Sequence, residues 1–307
     1  MAGSKFRPDR GLTTRMVTTM GLLVLVYAAF VVGLVLVGLN VWLVLLIVAG
    51  FALFSYFASD RIAMFAMGAK EVSPEQAPEL HALIDRLCAM ADMSKPRVGI
   101  ADTDVPNAFA TGHNEKSAVV CVTTGLMRRL DGPELEAVLA HELSHIAHRD
   151  VMVMTVAGFL GIVAGFLTQA GLRFAMFAGA TRGNNSNGPA PAVVALLVVA
   201  VSAVAWALSF LLTRALSRYR ELSADRAAAY LTGRPSVLGS ALTKITGDMS
   251  RIPTRDLRQA EPFNAFFFAP ASSREGFSFS QLVATHPPVQ QRLEQLSDIS
   301  RQLGQGR

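Results

Sequence analysis

The sequence is short of cysteine, and this shortage excludes one kind of metal site. Its two cysteines are Cys88 and Cys121. They lie too far apart for a CxxC pair, and no further cysteine is present to complete a cysteine-rich zinc site. We expect both to be small buried residues in a reducing compartment, with a disulfide or a reactive thiol as the less favoured alternative.

Charge is also scarce. Charged residues make up 17% of the chain, and the mean hydropathy is +0.38. Soluble proteins average about 25% charged residues, so the composition predicts membrane spans joined to a modest soluble part. The formal charge of +5 does not indicate a nucleic-acid partner, because many of the basic residues flank apolar segments, where they report membrane orientation. We therefore expect a lipid bilayer, and no nucleic acid, among the partners.

The first apolar block carries no charge from Met16 to Ser59. Because one membrane crossing needs about 20 apolar residues, the block predicts two helices, Met16–Val37 and Val41–Phe57, with a turn near Gly38. A cleaved signal peptide has a much shorter apolar region, so this interpretation is rejected.

Two further apolar blocks predict a second membrane hairpin. They are Val151–Ala170 and Ala192–Leu212, joined by a loop rich in Gly, Asn and Pro. The N-terminal tail, residues 1–15, is basic with one acid, which places it in the cytoplasm by the positive-inside rule. The loop of the second hairpin contains arginine and no acid, and this weakens the orientation slightly. The basic residues of the tail are Lys5, Arg7, Arg10 and Arg15.

The remaining segments have soluble character. "PRVGIAD" and "SAVVCVTTG" favour short strands, and "DVPNAFATGHNEK" between them favours a strand with irregular ends. Helices are predicted after Ser73 and Asp131, and around "RALSRYRELSADRAAAYL", "SVLGSALTKITGDMS" and "HPPVQQRLEQL". The expected fold is α+β and mainly α-helical, with about four transmembrane helices and a small β-sheet. The predicted order is a basic tail (1–15), a membrane hairpin (16–59), a soluble part (60–150), a second hairpin (151–213) and a second soluble part (214–307).

The stretch "HELSH" predicts a metal site. It places His141 and His145 four residues apart, about 40° around a helix, so both imidazoles can reach one ion. Glu142 is offset by about 100°, beside the ion, where a general base for a zinc-bound water must lie. Such motifs also occur by chance on charged surface helices. Here the helix is otherwise apolar, and unpaired His and Glu are costly to bury, which favours a site for one zinc ion per chain.

A third ligand is predicted on a later helix. The HExxHxxGxxH class is excluded, because His148 and Val151 stand where that motif needs Gly and His. "SRYRELSADRAAAY" offers Glu221 as a ligand, and Asp225, on the same face, would accept the second ring N–H of a ligand histidine. A solvated helix bearing Arg–Glu pairs is the alternative. The competing candidates are His148, Glu71, Glu75 and Glu79; these acids lie at or near the start of a helix with no Asp four residues on.

The distances to the membrane spans agree with this ligand set. His145 precedes the third span by about 10 Å along a helix, and Glu221 follows the fourth span by about 13 Å. Because antiparallel spans return both ends to one membrane face, the ligands would meet at matching heights. We also expect the histidine helix to continue into the third span without a break.

On these residues, the sequence resembles HtpX-type membrane zinc proteases and, more distantly, the CAAX-processing prenyl endopeptidases of the same gluzincin group. The resemblance implies an ATP-independent zinc endopeptidase of the bacterial inner membrane, with a zincin-like protease domain facing the cytoplasm and damaged membrane proteins as substrates under stress. It implies His141, His145 and Glu221 as zinc ligands and Glu142 as catalyst. The matching pieces are "PNAFATG" (106–112), "HELSHIAHRD" (141–150), "SRYRELSAD" (217–225) and "THPPVQQRL" (285–293).

The resemblance also implies a substrate-binding edge strand, because an exposed edge offers N–H and C=O groups to an extended peptide. An ordinary half-buried strand is the alternative. His286 would cap the last helix, or help to stabilise the oxyanion or gate the zinc. No role is assigned to residues 262–284. The strand residues are Asn107, Ala108, Phe109 and Ala110, and the oxyanion candidates are His286, Arg218 and Arg220.

Three other functions stay open at this point. An intramembrane zinc protease is disfavoured because charged residues, which are costly at bilayer depth, surround the motif. A prenyl-peptide processor should have more spans that enclose a chamber. A non-catalytic zinc-binding regulator should lack Glu142 or a ligand, and none is missing. The sequence leaves the individual substrates and the oligomeric state open.

Overall fold

The computed structural model describes residues 10–38, 40, 67–112, 117–180, 191–249 and 286–305, with isolated positions between 42 and 65. The predicted second span, Val41–Phe57, lies largely outside this described part, and residues 262–284 lie wholly outside it. The helices are α1 (Arg10–Leu36), α2 (Pro78–Ala91), α3 (Thr124–Arg129), α4 (Gly132–Ala147), α5 (Asp150–Ala180), α6 (Pro191–Thr232), α7 (Pro235–Met249) and α8 (Val289–Gln305). The strands are β1 (Ala69–Glu71), β2 (Arg97–Ala101), β3 (Ala108–Thr111) and β4 (Val119–Thr123).

The four strands form one mixed sheet in the order β1-β2-β4-β3. β2 and β4 run parallel, and β1 and β3 pair antiparallel at the two edges. The sheet and its surrounding helices confirm a mainly helical α+β fold. β3 contains Ala108, Phe109 and Ala110 of the predicted substrate strand, and Asn107 directly precedes it. It is an edge strand among the described residues.

Two local expectations were wrong. The first soluble helix begins at Pro78, and Ala77 rather than Ser73 precedes it without a side-chain cap. Glu71 lies in β1, where it pairs with Arg97, and not near the start of a helix. A strand of three residues carries too short a pattern to be recognised by its alternation.

The helix that carries the histidines is fixed at its start and along its length. Asp131 accepts a hydrogen bond from the Glu134 backbone N–H, and the Glu134 side chain accepts one from the Asp131 N–H, which completes a capping box. Several apolar side chains of α4 are fully buried in the core between the sheet and α7, as at Val138, Leu139 and Leu143. α4 is therefore held as a rigid core element, which suits a helix that presents ligands.

The membrane helices form a separate compact unit. Described residues of Thr13–Phe57 and Val153–Leu216 make up this unit, and those of Met1–Leu12, Ala58–Met152 and Ser217–Arg307 make up the other. Among the described residues, two helices are long and apolar enough to cross a membrane, Thr13–Leu36 and Ala192–Thr232. The third predicted span is helical within α5. Many large apolar side chains of α1 and α6 are exposed, as at Val24, Leu25, Val204 and Trp206, which suits helices that face lipid.

The histidine helix does not continue into the third span. α4 ends at Ala147, Arg149 adopts a left-handed conformation with φ of 56°, and α5 begins at Asp150. The expectation of one unbroken helix is therefore wrong. A left-handed residue ends an α-helix because it redirects the chain away from the helical hydrogen-bond ladder. By contrast, α6 runs unbroken from Pro191 to Thr232, so it contains both the predicted fourth span and the predicted third ligand.

Candidate metal centre

The two histidines of the HELSH motif meet on one buried side of α4. Their Nε2 atoms lie 3.2 Å apart, and the rings are nearly perpendicular, with an interplanar angle of 85°. Both side chains are buried. The four-residue spacing of His141 and His145 puts the rings on the same side of the helix, one turn apart. Two ring nitrogens this close form a pair of donors for one cation.

Glu221 of α6 completes this group. Its Oε2 lies 3.5 Å from His141 Nε2, and its Oε1 lies 3.6 Å from His145 Nε2. The three side chains form the group of potential metal ligands that the described residues bring together, and all three are buried. His148 caps the end of α4, and Glu71 and Glu79 lie in β1 and α2; none of these belongs to the group.

The dimensions of the group suit zinc. Ligands at about 2.0–2.1 Å around a tetrahedral ion lie about 3.3 Å from one another. The measured separations of 3.2, 3.5 and 3.6 Å are close to this value. Two neutral imidazoles and one carboxylate are a donor set that zinc accepts, and it leaves a fourth position for water. The residues present therefore fit a catalytic zinc site.

Each histidine is also held from behind by a carboxylate. His141 Nδ1 lies 2.9 Å from Asp225 Oδ1, and His145 Nδ1 lies 2.7 Å from Asp150 Oδ2. A carboxylate at Nδ1 selects the tautomer that carries its proton there, and this leaves Nε2 as the donor atom for a metal. The sequence placed Asp225 beside a ligand histidine without saying which one. It missed Asp150, because that contact needs the turn at Arg149.

Two buried arginines in turn hold these carboxylates. Arg292 of α8 donates from Nε and Nη2 to the two oxygens of Asp225, at 2.7 and 2.6 Å, and its side chain is fully buried. Arg220 Nε lies 3.1 Å from Asp150 Oδ2. Arg220, which the sequence analysis named as an oxyanion candidate, therefore contacts Asp150, the partner of His145. Arg292 was missed, although "THPPVQQRL" contains it; an arginine in a helical pattern gives no signal of burial.

The pKa values of His141 and Glu142, which are neighbours on α4, are both raised, but for different physical reasons. Burial raises the pKa of Glu142 to about 8, and the negative charge of Glu221 adds to this effect. Burial lowers the pKa of His141, but hydrogen bonds to Asp225 and Glu221 outweigh it and raise that pKa to about 9. Both shifts favour the protonated forms, whereas a cation bound at this group would favour the unprotonated histidine and the Glu142 carboxylate.

The remaining predicted residues lie at different distances from the cluster. His286 Nδ1 lies 3.2 Å from Glu221 Oε2, so the structure places this histidine at the third potential ligand. Arg218 is half-buried on α6. Ala110 of β3 donates its backbone N–H to the Glu142 carboxylate, which brings the edge strand to the predicted catalyst. The roles predicted for His286 and Arg218 stay predictions.

A buried HExxH pair, a glutamate from a later helix and carboxylates that orient the histidines define a metallopeptidase. The family model of peptidase family M48 matches residues 74–300. The chain therefore belongs to peptidase family M48, and the resemblance found in the sequence is confirmed.

Relatives and solved structures agree with this membership. "Protease HtpX homolog 1" of Streptomyces coelicolor is 55% identical, over 98% of this chain and 97% of that protein. "Protease HtpX homolog" of Moorella thermoacetica is 50% identical, over 97% and 98%. The crystal structure of S. mikatae Ste24p matches 88% of this chain with a TM-score of 0.55 and 18% identity, and the match spans 62% of that protein. This last likeness is one of fold. The family and the two relatives identify the chain as a membrane metalloprotease.

The ligand set predicts a clear pattern of zinc content. The full-length chain purified in detergent should hold about one zinc ion, measured by inductively coupled plasma mass spectrometry. His145→Ala should lose it, because two remaining donors bind weakly. His148→Ala, the matched control at the C-cap of the same helix, should retain it. Equal loss in both variants would show that the ligand set is wrong.

Proposed function

We propose that this metalloprotease is a zinc-dependent endopeptidase whose reaction takes place at His141, His145 and Glu221. The observation that best supports the proposal is the pair of ring nitrogens that face one carboxylate, at separations suited to a single small cation. The two Nε2 atoms and the Glu221 carboxylate would hold the ion. When bound, zinc supplies a Lewis acid that acidifies a water molecule and polarises the scissile carbonyl.

Glu142 is the general base and then the general acid in this proposal. Its carboxylate accepts the proton of the attacking water and delivers it to the nitrogen of the leaving amine. Burial raises the pKa of Glu142, which makes its carboxylate a stronger proton acceptor than an exposed one. A backbone hydrogen bond from Ala110 also acts on this carboxylate, which puts the edge strand beside the proposed base.

Glu142→Gln should lower kcat by at least about 100-fold, because an amide accepts no proton, while zinc content stays at the wild-type level. The measurement is cleavage of an unfolded membrane protein by the zinc-loaded chain, followed by gel and mass spectrometry. The same substrate in its folded form tests the proposed preference for damaged proteins and should be cut more slowly.

Glu136→Gln is the matched control for this variant, since Glu136 lies on the same helix and pairs with the exposed Arg86. It should cleave at the wild-type rate. Wild-type activity in Glu142→Gln would remove Glu142 from the mechanism.

We further propose that the substrate backbone adds to β3 as an extended strand. Thr123 N–H donates to Asn107 C=O at 2.9 Å. Because hydrogen-bonded pairs alternate along an antiparallel ladder, the main-chain groups of Ala108 and Ala110 point away from β4. The bond from Ala110 N–H to Glu142 agrees with this direction. A peptide paired there would pass directly beside the catalytic carboxylate. The Phe109 side chain is buried against Val119 and Cys121 on one face of the sheet.

Backbone pairing predicts a two-residue period in the response to N-methylated substrates. In a peptide substrate methylated at one amide at a time, every second amide should matter, because alternate N–H groups of an added strand face its neighbour. Loss of one such hydrogen bond should raise KM by roughly 2–10-fold, and the intervening amides should have little effect. Steady-state kinetics on the series provides the measurement, and a profile without alternation would contradict strand addition.

The proposed location is the bacterial cell membrane, with four spans, a cytoplasmic N-terminus and a cytoplasmic active site. The basic tail and the two candidate spans support this proposal. The relatives are named proteases and come from bacteria and archaea. Quality control of damaged membrane proteins is the task that fits a protease anchored beside its substrates.

This orientation can be tested with two matched cysteine variants. Ser94→Cys lies at an exposed position of the unit that contains the metal centre, and Ser186→Cys lies in the loop predicted between the third and fourth spans. An impermeant maleimide should label Ser186→Cys in intact cells and should label Ser94→Cys only after lysis. The unmodified chain, whose two cysteines are buried, is the background control. Labelling of Ser94→Cys in intact cells would place the active site outside.

A further inference from the structure

The second ligand histidine has a dedicated pair of partners. Nδ1 of His145 lies 2.7 Å from Asp150 Oδ2, and Arg220 Nε lies 3.1 Å from the same oxygen. All three side chains are buried. The arrangement parallels that of His141, Asp225 and Arg292, so each histidine has its own carboxylate and each carboxylate has its own guanidinium.

The contact between His145 and Asp150 depends on the break after α4. In an unbroken helix, residues five positions apart are about 140° apart around the axis and about 7.5 Å apart along it. Side chains at such positions face different directions and do not meet. The left-handed residue Arg149, with φ of 56°, turns the chain so that Asp150 reaches back to the histidine ring. Without this turn the carboxylate would lie on another side of the helix.

Arg149 is not a residue type that favours this left-handed backbone conformation. Glycine adopts positive φ readily, whereas arginine rarely does. A disfavoured backbone conformation persists when the surrounding contacts determine it, and such conformations concentrate at functional sites. Here the contacts that determine it include those of Asp150, the next residue, with His145 and Arg220.

We propose that Asp150 and Arg220 are positioning residues of the metal centre. Asp150 holds the His145 ring with Nε2 directed at the cluster, and Arg220 holds Asp150. The inference rests on the proposed zinc site, because it concerns the orientation of one of that site's ligands. Arg220 directly precedes Glu221 in α6, so it also fixes the second histidine relative to the third ligand.

The test compares zinc affinities of the full-length chain, measured by competition with a chromophoric chelator. Asp150→Asn and Arg220→Gln should each weaken zinc binding by about 10–100-fold, the usual effect of losing the partner of a ligand histidine. Both should also change the visible absorption of the cobalt(II)-substituted protein, which reports ligand geometry. Asp298→Asn, an exposed acid of α8, is the matched control and should match the wild type in both readouts.

The way in which Arg220 acts is tested by combining the variants. If Arg220 acts through Asp150, the double variant should bind zinc as weakly as Asp150→Asn alone. Additive losses would overturn this role of Arg220. At the turn, Arg149→Gly should retain wild-type affinity and Arg149→Val should weaken it, because a β-branched residue resists positive φ. Equal affinities in these two would overturn the role of the turn.

If Asp150 and Arg220 only stabilised the fold, the measurements would give a different result. The melting temperature of the zinc-free chain would fall, while zinc affinity and the cobalt spectrum would stay at wild-type values, and this outcome would overturn the inference. A wild-type chain that binds no zinc would overturn the proposed function as well. Variants that bind zinc like the wild type would overturn the inference alone.

Discussion

The metal centre depends on how the charges of its buried carboxylates and guanidiniums are neutralised. Four carboxylates and two guanidiniums are buried around the two histidines, which leaves two negative charges in excess. Buried charge must be neutralised, because isolated ions are very costly outside water. The raised pKa values of His141 and Glu142 act in this direction, since a proton on either group reduces the excess. A divalent cation would reduce it as well. The acids are Glu142, Asp150, Glu221 and Asp225, and the bases are Arg220 and Arg292.

Separate helices supply these charges. The histidines and the predicted base belong to α4, Asp150 starts α5, and α8 brings Arg292 to Asp225 across 67 positions of sequence. Each contact pairs a buried charge with an opposite charge or with a ring N–H, so removal of one partner leaves another buried group uncompensated. The same contacts that direct the histidines therefore also hold the helices together.

Local patterns made much of this predictable, and long-range contacts set the limit. Capping by Asp131, the strands β2 and β4, and the HELSH spacing of His141, Glu142 and His145 follow from residues within a few positions of one another. β1 is too short to carry a pattern. The break after α4 has no sequence signal, because arginine rather than glycine or proline occupies the turn. The roles of Asp150 and Arg292 become recognisable only when that turn and the approach of α8 are known. In addition, charged residues usually lie at the surface, so the sequence gives no reason to expect these two to be buried.

The continuity of α6 gives the centre its rigidity. Arg220, Glu221 and Asp225 lie within two turns of this one helix, and each contacts a different residue of the cluster. Glu221 is the third potential ligand, Asp225 orients the first histidine, and Arg220 holds the carboxylate behind the second. Because a helix keeps such residues at fixed angles, none of the three can move without the others. α4 can therefore end in a turn: the position of its last ligand is fixed from α6 and does not require a continuous helix beyond it.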